Sequence, residues 1–156
     1  MRLTHFTDYA LRVLMYLGSR TRPERLSTIG EIATSYGISE NHLMKVVHHL
    51  ARHGYIETTR GKGGGMKLAR APETINIGEV VRSTEDDFAL VECFGQNDGN
   101  CRCPITRTCG LSATLAHAVD AFFKVLDAQT LADALKPRDA MAGPMPITLH
   151  PRERTR

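Results

Sequence analysis

A glycine-rich run at 60–65, with the sequence Arg-Gly-Lys-Gly-Gly-Gly, is the feature that most limits what this chain can fold into. Glycine weakens both helices and strands, so the run predicts a turn. The segments on either side, 55–59 and 66–68, are short, and the first is rich in β-forming residues, which makes a β-hairpin the expected structure. A nucleotide-binding P-loop is excluded, because no Gly-Lys-Ser/Thr follows the glycines and no helix begins there.

Three amphipathic segments precede this hairpin. Apolar residues recur at helical spacing over 6–17, again after Thr28, and again over 40–53. Thr28 and Glu31 have the spacing of a capping box at the start of the second segment. A tight turn at 36–38 separates the second segment from the third. Helix, short turn, helix and hairpin, in that order, are typical of a winged helix-turn-helix.

In that arrangement the third helix is the recognition helix, which lies in the major groove of DNA. Its exposed polar side chains can contact bases and phosphates, and the basic residues of the hairpin tip can contact phosphates. The predicted DNA-binding residues are Ser39, Asn41, His42, Lys45, His48, His49, Arg52, Arg60 and Lys62. His49 and His53 are four residues apart and could chelate a metal, but a polar helix face near phosphates is the simpler interpretation of these histidines.

The net charge of +3 conceals an uneven distribution along the chain. Residues 1–70 carry eleven Lys and Arg against five Asp and Glu, whereas residues 71–135 carry four against ten. A basic half joined to an acidic half is expected when one end of a protein binds a polyanion and the other end has a different role.

The second half of the chain is also expected to be helical. Asn76 can cap a short helix, 111–126 has a long apolar stripe, and 130–135 can form a further turn. The predicted fold is therefore mainly α with a small β-hairpin. It consists of a winged helix-turn-helix DNA-binding domain, a segment with an irregular loop and a long C-terminal helix, and a disordered tail. Their expected bounds are 1–75, 76–135 and 136–156.

All four cysteines lie within 17 residues of one another. They are Cys93, Cys101, Cys103 and Cys109. In a reducing compartment such clustering favours metal or redox chemistry over structural disulfides. Pairs of cysteines with two residues between them, which are typical of structural zinc sites, are missing. The residues alone leave three interpretations open, namely an iron–sulfur cluster, which we favour, a zinc ion and a thiol redox switch.

The sequence also indicates where the protein acts and what it does not do. No apolar run reaches the roughly 18 residues that span a bilayer, and no secretory core follows the N-terminus. We therefore expect a cytoplasmic protein with no membrane partner. An enzyme is not expected, because no constellation of nucleophile, base and orienting group is recognisable.

Four segments resemble the nitric-oxide-sensing repressors of the NsrR type, whose superfamily includes the iron–sulfur regulator IscR and the iron-responsive regulator RirA. These segments are 1–17, 36–47, 60–65 and 103–109, and the similarity extends from residue 1 to about 135. The resemblance implies a transcription repressor that binds double-stranded operator DNA and responds to nitric oxide. It also implies a homodimer in which the long C-terminal helices cross.

The resemblance further implies a 4Fe–4S cluster, with a 2Fe–2S cluster as the alternative, so that 76–135 would be a cluster-binding loop and a dimerisation helix. Three cysteines and an aspartate from the partner subunit's first helix would hold the cluster. By position these ligands are Cys93, Cys103, Cys109 and Asp8. The structural alternative for Asp8 is an i,i+4 pair with Arg12. Cys101 departs from the family pattern and is a spectator, a substitute ligand or a resolving thiol.

Two other regulators remain as alternatives. The segment 83–94 resembles RirA, which implies an iron-responsive repressor in which loss of the cluster is the signal. The other alternative is a DNA-binding regulator that contains zinc or a thiol redox switch.

Overall fold

The computed structural model describes residues 2–20, 25–91, 94, 103, 105 and 109–136. Within them the chain forms six α-helices, a 3₁₀ turn and one antiparallel hairpin. In chain order these are α1 (His5–Gly18), α2 (Ile29–Tyr36), α3 (Glu40–Arg52), β1 (Ile56–Thr59), β2 (Gly65–Leu68), the 3₁₀ turn (Pro72–Thr74), α4 (Ile77–Thr84), α5 (Gly110–Asp127) and α6 (Leu131–Leu135). The predicted fold class, mainly helical with a small hairpin, is confirmed.

Side-chain caps explain where several of these helices begin. Thr4, Thr28 and Asn76 each accept a hydrogen bond from the backbone N–H three residues further along the chain. At α2 the carboxylate of Glu31 also accepts from the N–H of the capping residue, which completes the predicted capping box. A cap of this kind stabilises a helix by about 1 kcal/mol. Ser39 is the residue before α3, as expected, but its hydroxyl makes no capping bond within the described part of the chain.

The turn between α2 and α3 depends on one glycine. Gly37 has φ 64° and ψ 35°, the left-handed conformation that side chains with a Cβ rarely adopt. The N–H of the next residue, Ile38, donates to the carbonyl of Ala33 at 3.0 Å. The chain therefore leaves α2 sharply, and α3 can cross it.

One hydrophobic core holds the helices and the hairpin together. Its fully buried large side chains include Val13, Leu14, Ile32, Leu43, Leu50, Ile75, Val80 and Leu131. Burying a side chain of this size contributes about 1.5–3 kcal/mol. Val80 and Leu131 lie beyond the expected boundary at residue 75, so α4 and α6 pack on the same core as α1.

The hairpin is attached to the body of the protein at its base. Its strands pair from Ile56 opposite Leu68 to Thr59 opposite Gly65. On the other side of β2, Ser27 and Met66 exchange both backbone hydrogen bonds, at 2.9 and 2.8 Å. Both residues are buried, which fixes the base of the hairpin against the segment that leads into α2.

Within the ranges given above, no helix has the length and apolar character needed to cross a membrane. The expected tail, 136–156, lies outside the described residues apart from Lys136.

Candidate functional site

The helix α3 presents a polar face to solvent. Its apolar face is formed by Leu43, Val46, Val47 and Leu50, which are buried against the core. The exposed polar residues at its start and along its other face are Ser39, Glu40, Asn41, His42, Lys45, His48 and Arg52. The predicted recognition-helix residues, with one exception, therefore share one accessible surface.

The exception is His49, which turns towards the body of the protein. Its ring lies edge-on to Phe6 with centroids 5.3 Å apart, and it stacks on His53 at 4.1 Å. The Nε2 atom is buried and has no hydrogen-bond partner among the described residues. Burial lowers the pKa of His49, and the neighbouring His53 adds to the effect, while the backbone of Ser83 opposes it. The expectation that His49 is exposed does not hold.

Sequence reasoning missed Tyr9 as a neighbour of the recognition surface. Its ring lies between those of His5, at 5.9 Å, and His42, at 6.3 Å. These side chains, with Phe6 and Lys45, border a shallow cavity of about 200 Å³ between α1 and α3. Tyr9 follows Asp8 directly in the sequence, but only the crossing of the two helices brings it beside a residue predicted to bind DNA.

The hairpin tip carries the two predicted phosphate contacts in exposed positions. Arg60 and Lys62 lie on either side of Gly61, which has φ 97°. A Cβ at Gly64 would collide with the carbonyl oxygen of Thr59. The tip is therefore a narrow loop with two positive charges, which suits contact with a DNA backbone.

A second basic region lies beside the base of the hairpin, and sequence reasoning did not identify it. A cleft of about 430 Å³ separates the end of α1 from β2, and four cations border it. They are Arg20, Arg25, Lys67 and Arg70. Arg25 pairs with Glu31 at 2.8 Å, so part of this charge is balanced locally. Separation in sequence conceals the cleft, because its cations come from two distant segments.

The structure places two of the four cysteines. Cys103 and Cys109 are both partly buried, whereas Cys93 and Cys101 lie outside the described residues. Cys109 is the residue that immediately precedes α5, and its carbonyl accepts a hydrogen bond from Ser112 at 2.9 Å. Among the residues described, no group of three or more His, Cys, Asp or Glu side chains could hold a metal ion.

The structural alternative for Asp8 is observed. Its Oδ1 accepts a hydrogen bond from Nε of Arg12 at 3.0 Å, and the two side chains are 44% and 45% exposed. The hydrogen bond and charge of Asp8 raise the pKa of Arg12. Since the pair is open to solvent, the carboxylate remains accessible to a group brought by a second molecule.

The long helix α5 leaves part of its apolar surface exposed. With only the described residues considered, none of its side chains is fully buried. Leu111 is 62% and Val125 is 66% exposed. These two residues and Ala118, which is also exposed, are spaced by seven, so they lie along one side of the helix.

Comparison with known proteins gives a consistent result. The model of the Rrf2 family, described as iron-dependent transcriptional regulators, matches residues 3–137. The HTH-type transcriptional regulator NsrR of Bacillus subtilis is 52% identical over 139 residues, which cover 89% of this chain and 93% of that protein. The protein of the same name from Geobacillus kaustophilus is 49% identical over 141 residues, covering 90% and 94%.

The fold has close counterparts among solved structures. A putative transcriptional regulator from Listeria innocua superposes with a TM-score of 0.71 at 26% identity, over 92% of this chain and 93% of that one. The relatives are named as regulators of transcription, which is a non-enzymatic role. Because the family model spans most of the chain and the relatives are about half identical, the protein belongs to the Rrf2 family and is a DNA-binding transcriptional regulator.

Proposed function

We propose that the protein is a cytoplasmic, homodimeric repressor that releases its operator in response to nitric oxide, through an iron–sulfur cluster. The observation that carries the proposal is where the expected ligands lie. Cys109 directly precedes α5, and Asp8 lies in the first turn of α1. Ligands at these two positions join the long C-terminal helix of one subunit to the DNA-binding unit of the other.

The DNA-binding surface consists of the exposed face of α3 and the hairpin tip. Asn41, His42 and Lys45 lie in the N-terminal half of α3, which reaches furthest into the major groove in this class of protein. Arg60 and Lys62 would contact phosphates from the wing. His49 is left out of the proposed contacts, because its ring packs inward.

The dimer would form through α5. Isolated exposed apolar residues are common on monomers, but a seven-residue spacing of exposed Leu111, Ala118 and Val125 is the pattern by which helices pack side by side. A second copy of the same helix is the partner that such a stripe fits. The winged helices of the two subunits would then lie at opposite sides of the α5 pair.

The described residues suit an iron–sulfur cluster in two respects. Cys109 lies at the N-terminus of an 18-residue helix, where the helix dipole favours anionic ligands. Asp8 is exposed and can exchange its hydrogen bond with Arg12 for another partner. Cys93, Cys103 and Cys109, with Asp8 of the second subunit, would hold a 4Fe–4S cluster, and a 2Fe–2S cluster is the alternative. Such a cluster supplies iron that reacts directly with nitric oxide.

The chain's own residues would convert ligand exchange into release of DNA. While the cysteines and Asp8 are engaged, the start of α5 is fixed relative to α1 of the other subunit. Once they are free, Asp8 returns to Arg12, and the start of α5 is no longer tied to that helix. The spacing of the two recognition helices then differs from the spacing of the operator half-sites, which lowers affinity.

An anaerobic gel-shift experiment tests the proposal. Protein prepared without oxygen should contain iron and labile sulfide and should bind its operator, and addition of nitric oxide should weaken that binding by at least about tenfold. Cys109→Ala should lose the cluster, whereas the matched variant Cys101→Ala should keep it. The proposal fails if nitric oxide leaves operator affinity unchanged, and the ligand assignment fails if Cys101→Ala loses its cluster.

An iron-responsive repressor is the second candidate, favoured by the description of the family as iron-dependent regulators. The two candidates differ in the stimulus that releases DNA. Chelation of iron would release the operator without nitric oxide in an iron-responsive repressor. A nitric oxide sensor would keep its operator until nitric oxide is added.

A further inference from the structure

The C-terminal end of α5 is attached to α4 by a two-pronged ion pair. Nη1 and Nη2 of Arg82 donate to Oδ1 and Oδ2 of Asp127 at 2.6 and 2.7 Å. The same guanidinium lies over the ring of Phe123, 4.1 Å from its centroid. A bidentate pair fixes the relative orientation of its two side chains as well as their distance, so this pair defines the angle between α4 and α5.

This contact requires a glycine on the facing helix. Gly78, one turn before Arg82 on α4, is buried, and a Cβ at that position would collide with Oδ1 of Asp127. The hydrogen atom at this position lets the carboxylate approach the backbone of α4. Any larger residue would displace the carboxylate of Asp127 from its position on Arg82.

Hydrogen bonds to the backbone reinforce the same junction. The side-chain amide of Asn76 donates to the carbonyl of Asp127 at 2.7 Å, and the N–H of Ile77 donates to the carbonyl of Gln129 at 3.0 Å. The N–H of Leu131 then donates to the carbonyl of Ile75 at 2.8 Å. One end of α5 is therefore anchored to the winged helix at several points.

The other end of α5 lies far from this anchor. At a rise of about 1.5 Å per residue, its 18 residues span about 27 Å. A small rotation at the anchored end therefore moves the residues at Cys109 by several ångströms. The anchored end of α5 is also connected to the recognition helix. There α4 packs on α1, where Oγ1 of Thr7 donates to Oγ1 of Thr84 at 2.9 Å, and α1 packs on α3.

We propose that Arg82 and Asp127, which pack against Gly78, are positioning residues that set the angle of α5 against the winged helix. That angle in turn sets the spacing of the two recognition helices in the dimer. The inference rests on the proposed function, in which a homodimer binds an operator made of two half-sites. It concerns neither base recognition nor the cluster ligand at Cys109, because Asp127 lies at the opposite end of α5 from Cys109, and neither Arg82 nor Asp127 belongs to α3 or the hairpin tip. We call Gly78, Arg82 and Asp127 the α4–α5 joint.

The test compares binding to a complete operator with binding to a DNA that contains one half-site. Asp127→Asn removes the negative charge of the joint, and Gly78→Ala displaces the carboxylate of Asp127 by volume alone. Glu79→Gln is the matched control, since it removes a negative charge from the exposed face of α4 and leaves Asp127 in place. All proteins are prepared anaerobically, and their mass, iron content and thermal unfolding are measured alongside.

We expect both joint variants to remain folded, cluster-containing dimers, because the ion pair is exposed on the surface and the three atoms nearest to a Cβ at Gly78 belong to these two exposed side chains. Their affinity for the complete operator should fall by about tenfold, whereas half-site affinity should stay at the wild-type level. Glu79→Gln should match the wild type on both DNAs. The inference is overturned if both joint variants bind the complete operator as tightly as the wild type, or if both lose affinity equally on the half-site. Failure of the nitric oxide response would appear separately, in the wild type.

Discussion

A single position on α3 illustrates how packing decides the role of a side chain. His48 and His49 are neighbours, and both are polar residues near the end of a recognition helix. His48 faces solvent, whereas His49 meets Phe6 of α1 and approaches α4. The imidazole of His49 thus links the recognition helix to α1 and α4. Its protonation state therefore depends on how these three helices pack.

The stability of the protein should therefore depend on pH through His49. Because burial lowers its pKa, the folded protein holds this ring neutral at pH values where the unfolded chain, with a pKa of about 6.5, already binds a proton. The free energy of unfolding should fall as the pH decreases from about 8 to about 6. Urea unfolding at both pH values should show a smaller decrease for His49→Gln than for the wild type.

His48→Gln provides the control for this experiment. It removes an exposed imidazole from the adjacent position and should keep the pH dependence of the wild type. Equal pH dependence in His49→Gln and the wild type would show that burial of Nε2 has no thermodynamic effect.

Residues whose roles are local could be predicted, and residues whose roles depend on distant partners could not. The capping box of Thr28 and Glu31 follows from a spacing of three residues. The inward orientation of His49 depends on Phe6, more than forty positions away, and its place on the helix leaves both orientations open. Arg82 and Asp127 are 45 residues apart, so no local pattern relates them.

At the scale of elements, the hairpin combines a fixed base with an accessible tip. The base is held by the pairing of Ser27 with Met66, while Arg60 and Lys62 extend into solvent. The glycine-rich sequence predicted this hairpin correctly, because a turn of this kind has few alternatives. The basic cleft beside it was missed, because it exists only once α1 and β2 lie together.

Removing the two charges of the tip should weaken DNA binding without changing sequence preference. Arg60→Ala with Lys62→Ala should reduce affinity for operator and unrelated DNA alike, since phosphates carry no sequence information. The slope of log affinity against log salt should become less steep by about 1 for each phosphate that the protein no longer neutralises.

Titrations of labelled DNA at several salt concentrations measure both quantities. Lys136→Ala is the control, because Lys136 pairs with Asp133 at the end of α6, outside the proposed interface. An unchanged salt slope in the double variant would remove the wing tip from the DNA-binding surface.

At the scale of the whole molecule, the described chain has a well-packed core and a long helix, α5, with an exposed apolar side. The stripe expected from the sequence combined residues that the structure separates. Phe122 is partly buried, whereas Leu111 of the same stripe is exposed. The periodicity identified an apolar helix, but the division of its surface between its own chain and a partner depends on tertiary packing.

A charge on the exposed side of α5 should prevent dimer formation. Val125→Glu places a carboxylate where we expect a second apolar helix, and burial of an unpaired charge there is strongly unfavourable. Size-exclusion chromatography with light scattering should give the mass of a monomer. Lys124→Glu introduces the same residue at a neighbouring polar position and should leave the dimer intact. A dimeric Val125→Glu protein would exclude this side of α5 as the interface.

The pairing of Ser27 with Met66 has a consequence for how signals can act on such a molecule. It holds the base of the hairpin against the segment that leads into α2, and its buried amides should exchange slowly with deuterium. In the proposed dimer, a signal would then act on the separation of the two DNA-binding units and not on the attachment of the hairpin within either unit.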